Sequence, residues 1–216
     1  MYIIELAYNP WKRIFDLMFS SVALLVLTLP LILIWVLFRM TYSGVPFFFG
    51  VPVVGLEGRR IKLWKISTMV ADAHLKIDDL LKDNPALKSE WERDYKLKED
   101  PRVLPGFGNL LRKTSMNEFP QFWNVLCGEM SIVGPRPISK GEEVKYIEIA
   151  GEDFLKWRQS VRPGITGLWQ VSGRNNVSYE ERVEFDRRYL SDRSLWIDLK
   201  IVLLTPWRVI MGKGAY

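Results

Sequence analysis

The sequence predicts a helix-rich α+β fold, with a small mixed domain over residues 41–216 and an apolar helix within residues 1–40. Three observations predict it. Leu17 to Phe38 holds no charged residue, and Ile61 to Ile66 alternates apolar and basic residues as a half-buried strand does. Phe119, Phe122, Trp123, Leu126 and Met130 recur at spacings of three and four, which is one face of a helix. A chain of 216 residues is long enough for one domain with a core plus an anchor.

The apolar run would make a helix of about 33 Å at 1.5 Å per residue, enough to span a bilayer. It is too long for a cleaved signal peptide, and no small-residue cleavage site follows it. Pro30 lies beyond its middle and predicts a kink, because proline removes a helix hydrogen bond and crowds the preceding turn. Lys12 and Arg13 precede the run and Arg39 follows it, whereas a span keeps its positive charge on one side. The expectation is a re-entrant helix that enters, bends and leaves on the same face; a straight span and a buried soluble helix are the alternatives.

Val45 to Val54, interrupted by Pro46, Gly50 and Pro52, reads as a strand or extended segment. Gly55 to Gly58 supplies a turn into Ile61 to Ile66, which sets Lys62 and Lys65 on opposite faces; Lys65 is a candidate anion ligand, a solvated lysine the plainer alternative. Ala71 to Lys98 is charged and helix-favouring, and Asn84-Pro85 divides it into two helices. Val144 to Gln159 reads as one helix. Leu195 to Leu204, followed by Thr205-Pro206-Trp207-Arg208, reads as a helix of the headgroup layer or of the core.

A formal charge of +5 and a pI near 9.3 point to anionic partners. Nine tryptophans favour a membrane surface among them, since amphipathic rings concentrate where protein meets headgroups. A nucleic-acid partner is disfavoured, because the basic residues are dispersed and the aromatics lie mainly in apolar segments. The single cysteine, Cys127, excludes an intramolecular disulfide and fits a reducing compartment.

The densest run of unusual residues is Ser115-Met116-Asn117-Glu118-Phe119-Pro120-Gln121, preceded by Arg112-Lys113 and continuing to Gly134-Pro135-Arg136-Pro137. Asn117 and Glu118 are expected near the start of a helix, where backbone N–H groups favour an anion; a capping segment beneath a core helix is the alternative. A second run, Val161-Arg162-Pro163-Gly164-Ile165-Thr166-Gly167-Leu168-Trp169-Gln170-Val171-Ser172-Gly173-Arg174, spaces Arg162, Gln170 and Arg174 among glycines. Backbone can then approach a ligand closely while guanidinium groups meet phosphate as a fork.

These two runs, with Lys12-Arg13-Ile14-Phe15-Asp16, the proline in the apolar helix and the Gly214-Ala215-Tyr216 ending, resemble the monotopic phosphoglycosyl transferases, bacterial sugar transferases that make polyprenol-diphosphate sugars. The likeness is strongest to the catalytic domain of undecaprenyl-phosphate hexose-1-phosphate transferases. It implies transfer of hexose-1-phosphate from a UDP-sugar to undecaprenyl phosphate on the cytoplasmic face of the bacterial inner membrane, early in surface polysaccharide or glycoconjugate synthesis. It further implies an Asp-Glu pair at positions 117 and 118: the aspartate expels UMP and carries the phosphosugar as an acyl phosphate, and the glutamate helps hold Mg²⁺. Arg112, Arg136, Arg162 and Arg174 become phosphate-side candidates, with Asp186 a further substrate candidate. A homo-oligomer is compatible with the resemblance.

The chain departs from that pattern in two places. Asn117 stands where the nucleophilic aspartate is expected, and a carboxamide is a poor nucleophile. Three accounts fit: an engineered substitution, a natural member with lost or altered turnover, or attack by another group such as Glu118. Gly50-Val51-Pro52-Val53 and Ser67 likewise replace basic and amide residues common in the family.

Overall fold

The computed structural model describes residues 10–94, 97, 99–172 and 177–210. Its first element, α1 (Pro10–Thr41), is one 32-residue helix that continues through Pro30. It is long and apolar enough to cross a membrane, and almost none of its apolar window is buried, so it is not a core helix of the folded domain. Leu25 is 79% exposed and Leu29 75%.

The buried residues of α1 are Asp16, Ser20, Ile34 and Phe38. Four residues is slightly more than a turn and fourteen nearly four turns, so all four lie on one face. They dock at two separate places. Near the start, the Asp16 carboxylate accepts the Ile132 N–H at 3.0 Å, and Phe19 meets Phe122 with ring centroids 6.2 Å apart. Near the end, Ile34 and Phe38 enter a cluster with Phe47, Ile66, Leu104 and Leu111. The basic residues expected to mark a charged flank are drawn into the protein instead. Lys12 Nζ pairs with Asp16 at 3.2 Å and with Asp198 at 2.8 Å, while Arg13 donates to the carbonyls of Val125 and Leu126 at 2.6 and 2.9 Å.

The hairpin follows: β1 (Phe48–Val54) pairs antiparallel with β2 (Arg60–Ile66), placing Lys65 opposite Phe49 and Lys62 opposite Pro52. Gly50 leaves the space that the Lys62 side chain occupies across the hairpin. Then come α2 (Ala73–Lys82) and α3 (Pro85–Asp94), separated at Asn84 as expected, α4 (Phe107–Lys113), a 3₁₀ turn at Met116–Glu118, and α5 (Gln121–Leu126).

In α5 the buried residues are Gln121, Asn124 and Val125, while Trp123 faces outward, so the apolar face expected from spacing is rotated. Asn124 determines that rotation. Fully buried, it accepts the Trp64 N–H at 3.1 Å and donates to the Lys62 carbonyl at 2.8 Å, stitching α5 to β2.

A second, parallel pair joins β3 (Ser131–Val133) to β4 (Gly164–Thr166). Between them lie α6 (Lys140–Ala150) and α7 (Glu152–Gln159), two helices where one was expected. Gly151, at φ 83°, is the break: it ends the first helix and caps the second. The chain continues through α8 (Leu168–Ser172), α9 (Tyr179–Asp192) and α10 (Leu195–Ile210). Serine capping boxes start α6 and α9, at Ser139 with Glu142 and at Ser178 with Glu181.

One core cluster joins the hairpin, α5, β3 and α10 through Val53, Leu63, Val125, Met130, Ile132 and Ile201. Another joins α6, α7 and α9 through Tyr146, Phe154, Leu155, Val183 and Leu190. Asp198 and Tyr189 close the first around Lys12: the tyrosine hydroxyl lies 2.9 Å from Asp198 and 3.1 Å from the Val133 carbonyl. Burial holds the Asp198 carboxyl above its ordinary pKa, against the opposing pull of Lys12 and the tyrosine.

Glycines allow two loops to cross at β3 and β4. A Cβ on Gly134 would lie 2.6 Å from the Arg162 carbonyl oxygen, and one on Gly164 would overlap the Gly134 nitrogen and the Thr166 oxygen. Gly164 donates its N–H to the Pro135 carbonyl, and Gly134 its own to the Thr166 carbonyl. Because the obstacle is backbone, Gly164→Ala is expected to cost about 3 kcal/mol or more, read as a lowered thermal midpoint by circular dichroism in detergent. Gly141→Ala, where a Cβ meets nothing nearer than 4.0 Å in an exposed helical turn, is expected to be neutral or to stabilise by up to about 1 kcal/mol.

Candidate functional site

Asn117 and Glu118 occupy the 3₁₀ turn before Pro120 rather than the first turn of a longer helix. Ser115 immediately precedes the turn in left-handed conformation, at φ 57° and ψ 15°. For a side-chain-bearing residue this is a strained backbone, of the kind that persists where surroundings hold it. The Ser115 carbonyl accepts the Glu118 N–H at 3.1 Å, closing the turn over Asn117.

Glu118 faces the hairpin, where Lys65 Nζ reaches its Oε1 at 3.2 Å with both side chains partly exposed. Arg112 approaches the same end of β2, donating from Nε to Thr68 Oγ1 at 3.0 Å. Burial lowers the pKa of its guanidinium, with Asp100 opposing and Arg102 reinforcing that shift, and the group remains a cation at neutral pH. Lys65 thus meets Glu118, the neighbour of Asn117 in a partly open turn, and Arg112 is anchored on Thr68 just past the end of β2.

Arg136 belongs to a second group. Its guanidinium carbon lies 5.1 Å from the Trp169 ring centroid, on the residue next to Gln170. Its backbone carbonyl accepts a short hydrogen bond from Arg158, which is 4% exposed and bonded through Nε to Asp186 at 2.7 Å. Tyr146 donates to the same Asp186 oxygen at 3.0 Å. Asp186, expected on the substrate side, therefore sits in the interior and secures the support under Arg136.

Glu142 lies in this group as well. Burial alone would raise its carboxyl, but the Arg136 charge, the Ser139 N–H and the Tyr179 hydroxyl overcome that and hold its pKa below the ordinary value. The Tyr179 hydroxyl donates to it at 2.8 Å.

Arg162 is turned towards the end of α5, where its Nε donates to the Gly128 carbonyl at 2.6 Å. Arg174 lies outside the described residues. Sequence reasoning missed Trp169, Arg158, Asn124 and Glu142 as supports. Trp169 alone carried a visible signal, as an aromatic residue inside the second glycine-rich run.

Packing fills the positions at Val53 and Ser67 where the family pattern has basic or amide residues. Val53 is buried in the first core cluster, and Ser67 donates its hydroxyl to the Pro46 carbonyl and its N–H to the Phe47 carbonyl. A basic residue at Val53 would bury an unpaired charge.

No group of three or more His, Cys, Asp or Glu side chains that could hold a metal ion occurs among the described residues. Glu118 is the one carboxylate at the turn with an accessible edge, so the residues present fit an Mg²⁺ ion brought with substrate phosphates rather than a metal held by protein alone.

Residues 7–212 match the family described as bacterial sugar transferase. A UDP-galactose-lipid carrier transferase of Erwinia amylovora is 42% identical over 205 residues, covering 95% of this chain and 41% of that protein. An undecaprenyl-phosphate galactose phosphotransferase of Salmonella typhimurium is 40% identical with the same coverage. The chain thus spans about two fifths of those relatives. It covers 88% of the exopolysaccharide production protein ExoY of Sinorhizobium fredii, at 40% identity. The chain belongs to the bacterial sugar transferase family.

Proposed function

We propose that the chain is a phosphoglycosyl transferase domain, built to move hexose-1-phosphate from a UDP-sugar to undecaprenyl phosphate at the cytoplasmic face of the bacterial inner membrane. The observation that carries this reading is the strained turn of Asn117 and Glu118, with Lys65 paired to Glu118. The lipid-carrier and undecaprenyl-phosphate names of the Erwinia and Salmonella relatives support the choice of substrates.

Lys65 and Arg112 would balance the charge of the donor diphosphate, and the Glu118 carboxylate would contribute to holding Mg²⁺, which supplies electrostatic stabilisation of the phosphoryl oxygens. With aspartate at position 117, its carboxylate oxygen would bond to the sugar-bearing phosphorus as the bond to UMP breaks. The phosphate oxygen of undecaprenyl phosphate would then displace the carboxylate and take the phosphosugar. Asn117 cannot supply that carboxylate, so the chain as written would bind its donor without this route to turnover.

A non-catalytic member that binds nucleotide sugar or partner enzymes is the second reading. It is favoured by the self-sufficient packing of Val53 and Ser67, which leaves no place for the basic residues of the family pattern.

A re-entrant α1 as the membrane attachment is the reading its docking supports. A straight span would place the two ends on opposite sides of the bilayer, yet both ends pack against one domain. The outward stripe of α10, Trp196, Leu199, Leu203 and Trp207, suits an interfacial helix, and the Lys12–Asp198 pair sets the start of α10 beside the start of α1.

With Cys127→Ser as background, cysteines introduced by Trp11→Cys and Met40→Cys are expected to label from the same side of sealed vesicles; labelling from opposite sides would establish a span. Asn117→Asp is expected to raise UMP release from UDP-galactose or UDP-glucose by at least about 100-fold and to make it sensitive to EDTA. No gain would favour the non-catalytic reading.

A further inference from the structure

From Gly44 to Gly55 the chain carries no charged or hydrogen-bonding side chain. A strand at a sheet edge ordinarily carries charge, which keeps it from pairing with other chains. Yet β1 is such an edge. Among the described residues it pairs with β2 alone, apart from a single bridge between Val54 and Ile138. At its start Phe48 is 52% exposed and Phe49 46%. A contiguous apolar patch of this kind marks a surface that something else covers.

The hairpin is graded along its length. Its far end carries Glu57, Arg59 and Arg60, all exposed. Its near end, where Phe48 stands opposite Ile66, joins α1. The Phe48 ring lies 4.8 Å from that of Phe47, centroid to centroid, and Phe47 lies 5.3 Å from Phe38 of α1. Beside Phe38 on α1, Trp35, Leu37 and Met40 are exposed as well. The open apolar surface of α1 therefore continues into that of β1, and a bilayer that receives the first lies against the second.

Two features favour lipid over a second polypeptide as the cover. Pro52 lies within β1 and has no N–H to offer a further strand. Phe48, Gly50 and Pro52 share one face of β1, and on that face Gly50 stands opposite Trp64 and Pro52 opposite Lys62. The Lys62 ammonium lies 5.4 Å from the Trp64 ring centroid. An amphipathic ring beside a cation on a flexible stem suits a headgroup layer. The free backbone groups of the edge strand limit the depth, since headgroups and water can satisfy them and the hydrocarbon core cannot.

We propose that the near end of the β1–β2 hairpin is a second membrane contact, with Phe48 and Phe49 at the boundary between headgroups and acyl chains and the charged far end in water. This inference rests on the reading of α1 as the membrane attachment, and it adds the hairpin to that attachment. It also sets the depth of the candidate site, because Lys65 stands opposite Phe49 and pairs with Glu118.

Fluorophore labelling of the full chain in vesicles of phosphatidylethanolamine and phosphatidylglycerol tests it, with doxyl-labelled lipid as the quencher in the bilayer and iodide, on both sides, as the quencher in water. In a Cys127→Ser background, single cysteines are introduced by Phe48→Cys, Phe49→Cys, Arg59→Cys and Leu29→Cys, the last at an outward position of α1. Labels at positions 48 and 49 are expected to lose emission to the doxyl lipid and to resist iodide, as the label at position 29 does. The label at position 59 is expected to do the reverse.

Quenching of positions 48 and 49 by iodide and not by lipid, with position 29 still quenched by lipid, would overturn the hairpin contact and leave the attachment through α1 in place. Protection of positions 48 and 49 from both quenchers would mean that protein, such as a second copy of the chain, covers this face, and would overturn the proposal equally. Loss of lipid quenching at position 29 would instead remove the membrane reading of α1, and this inference with it.

Discussion

The carbonyls at the end of α5 receive a guanidinium from each of two directions, and the arrangement of the site depends on this. The last carbonyls of a helix have no partner within it and must find one elsewhere. Val125 and Leu126 find Arg13, from the start of the apolar helix, and Gly128 finds Arg162, from the loop leading into β4. A cation at a helix C-terminus is favourable on electrostatic grounds as well. Through these bonds the apolar helix, the glycine crossing and the segment carrying Asn117 and Glu118 are held in one frame.

The frame explains why the chain devotes so many polar groups to its interior. Lys12, Asp16, Asp198 and Tyr189 form a connected set beneath the start of α1. Buried charges are tolerable only when paired and hydrogen-bonded, and removing one member leaves the others uncompensated. The set therefore fixes where the apolar helix leaves the domain. On the opposite side Arg158, Asp186 and Tyr146 do the same for the Arg136 loop. Each set holds its own segment from behind, one the start of α1 and the other the Arg136 loop.

Much of this was legible in the sequence, and the failures have physical causes. The apolar helix, the alternation around Lys65 and the break at Asn84-Pro85 rest on local patterns that tertiary structure did not override. The break at Gly151 was missed because surrounding charges look equally helical on either side of it. Spacing gave α5 the wrong buried face, since a fully satisfied Asn124 turned inward in place of Trp123. β3 and β4 are three residues each, too short to show a period. A sequence gives residue type but not direction: Asp186 turns inward to Arg158, and Arg162 bonds through its Nε to a helix end.

Asn117 links the frame to the chemistry. Its turn is strained at Ser115, closed by the Glu118 N–H and joined to Lys65 through Glu118, and its carboxamide cannot act as the nucleophile that the proposed function requires. Intact-protein and peptide mass spectrometry of the Asn117→Asp variant mixed with a UDP-hexose tests this most directly. The account predicts a phosphohexose covalently attached at position 117, with no adduct on the unaltered chain; an adduct on Glu118, or none on either protein, would contradict it.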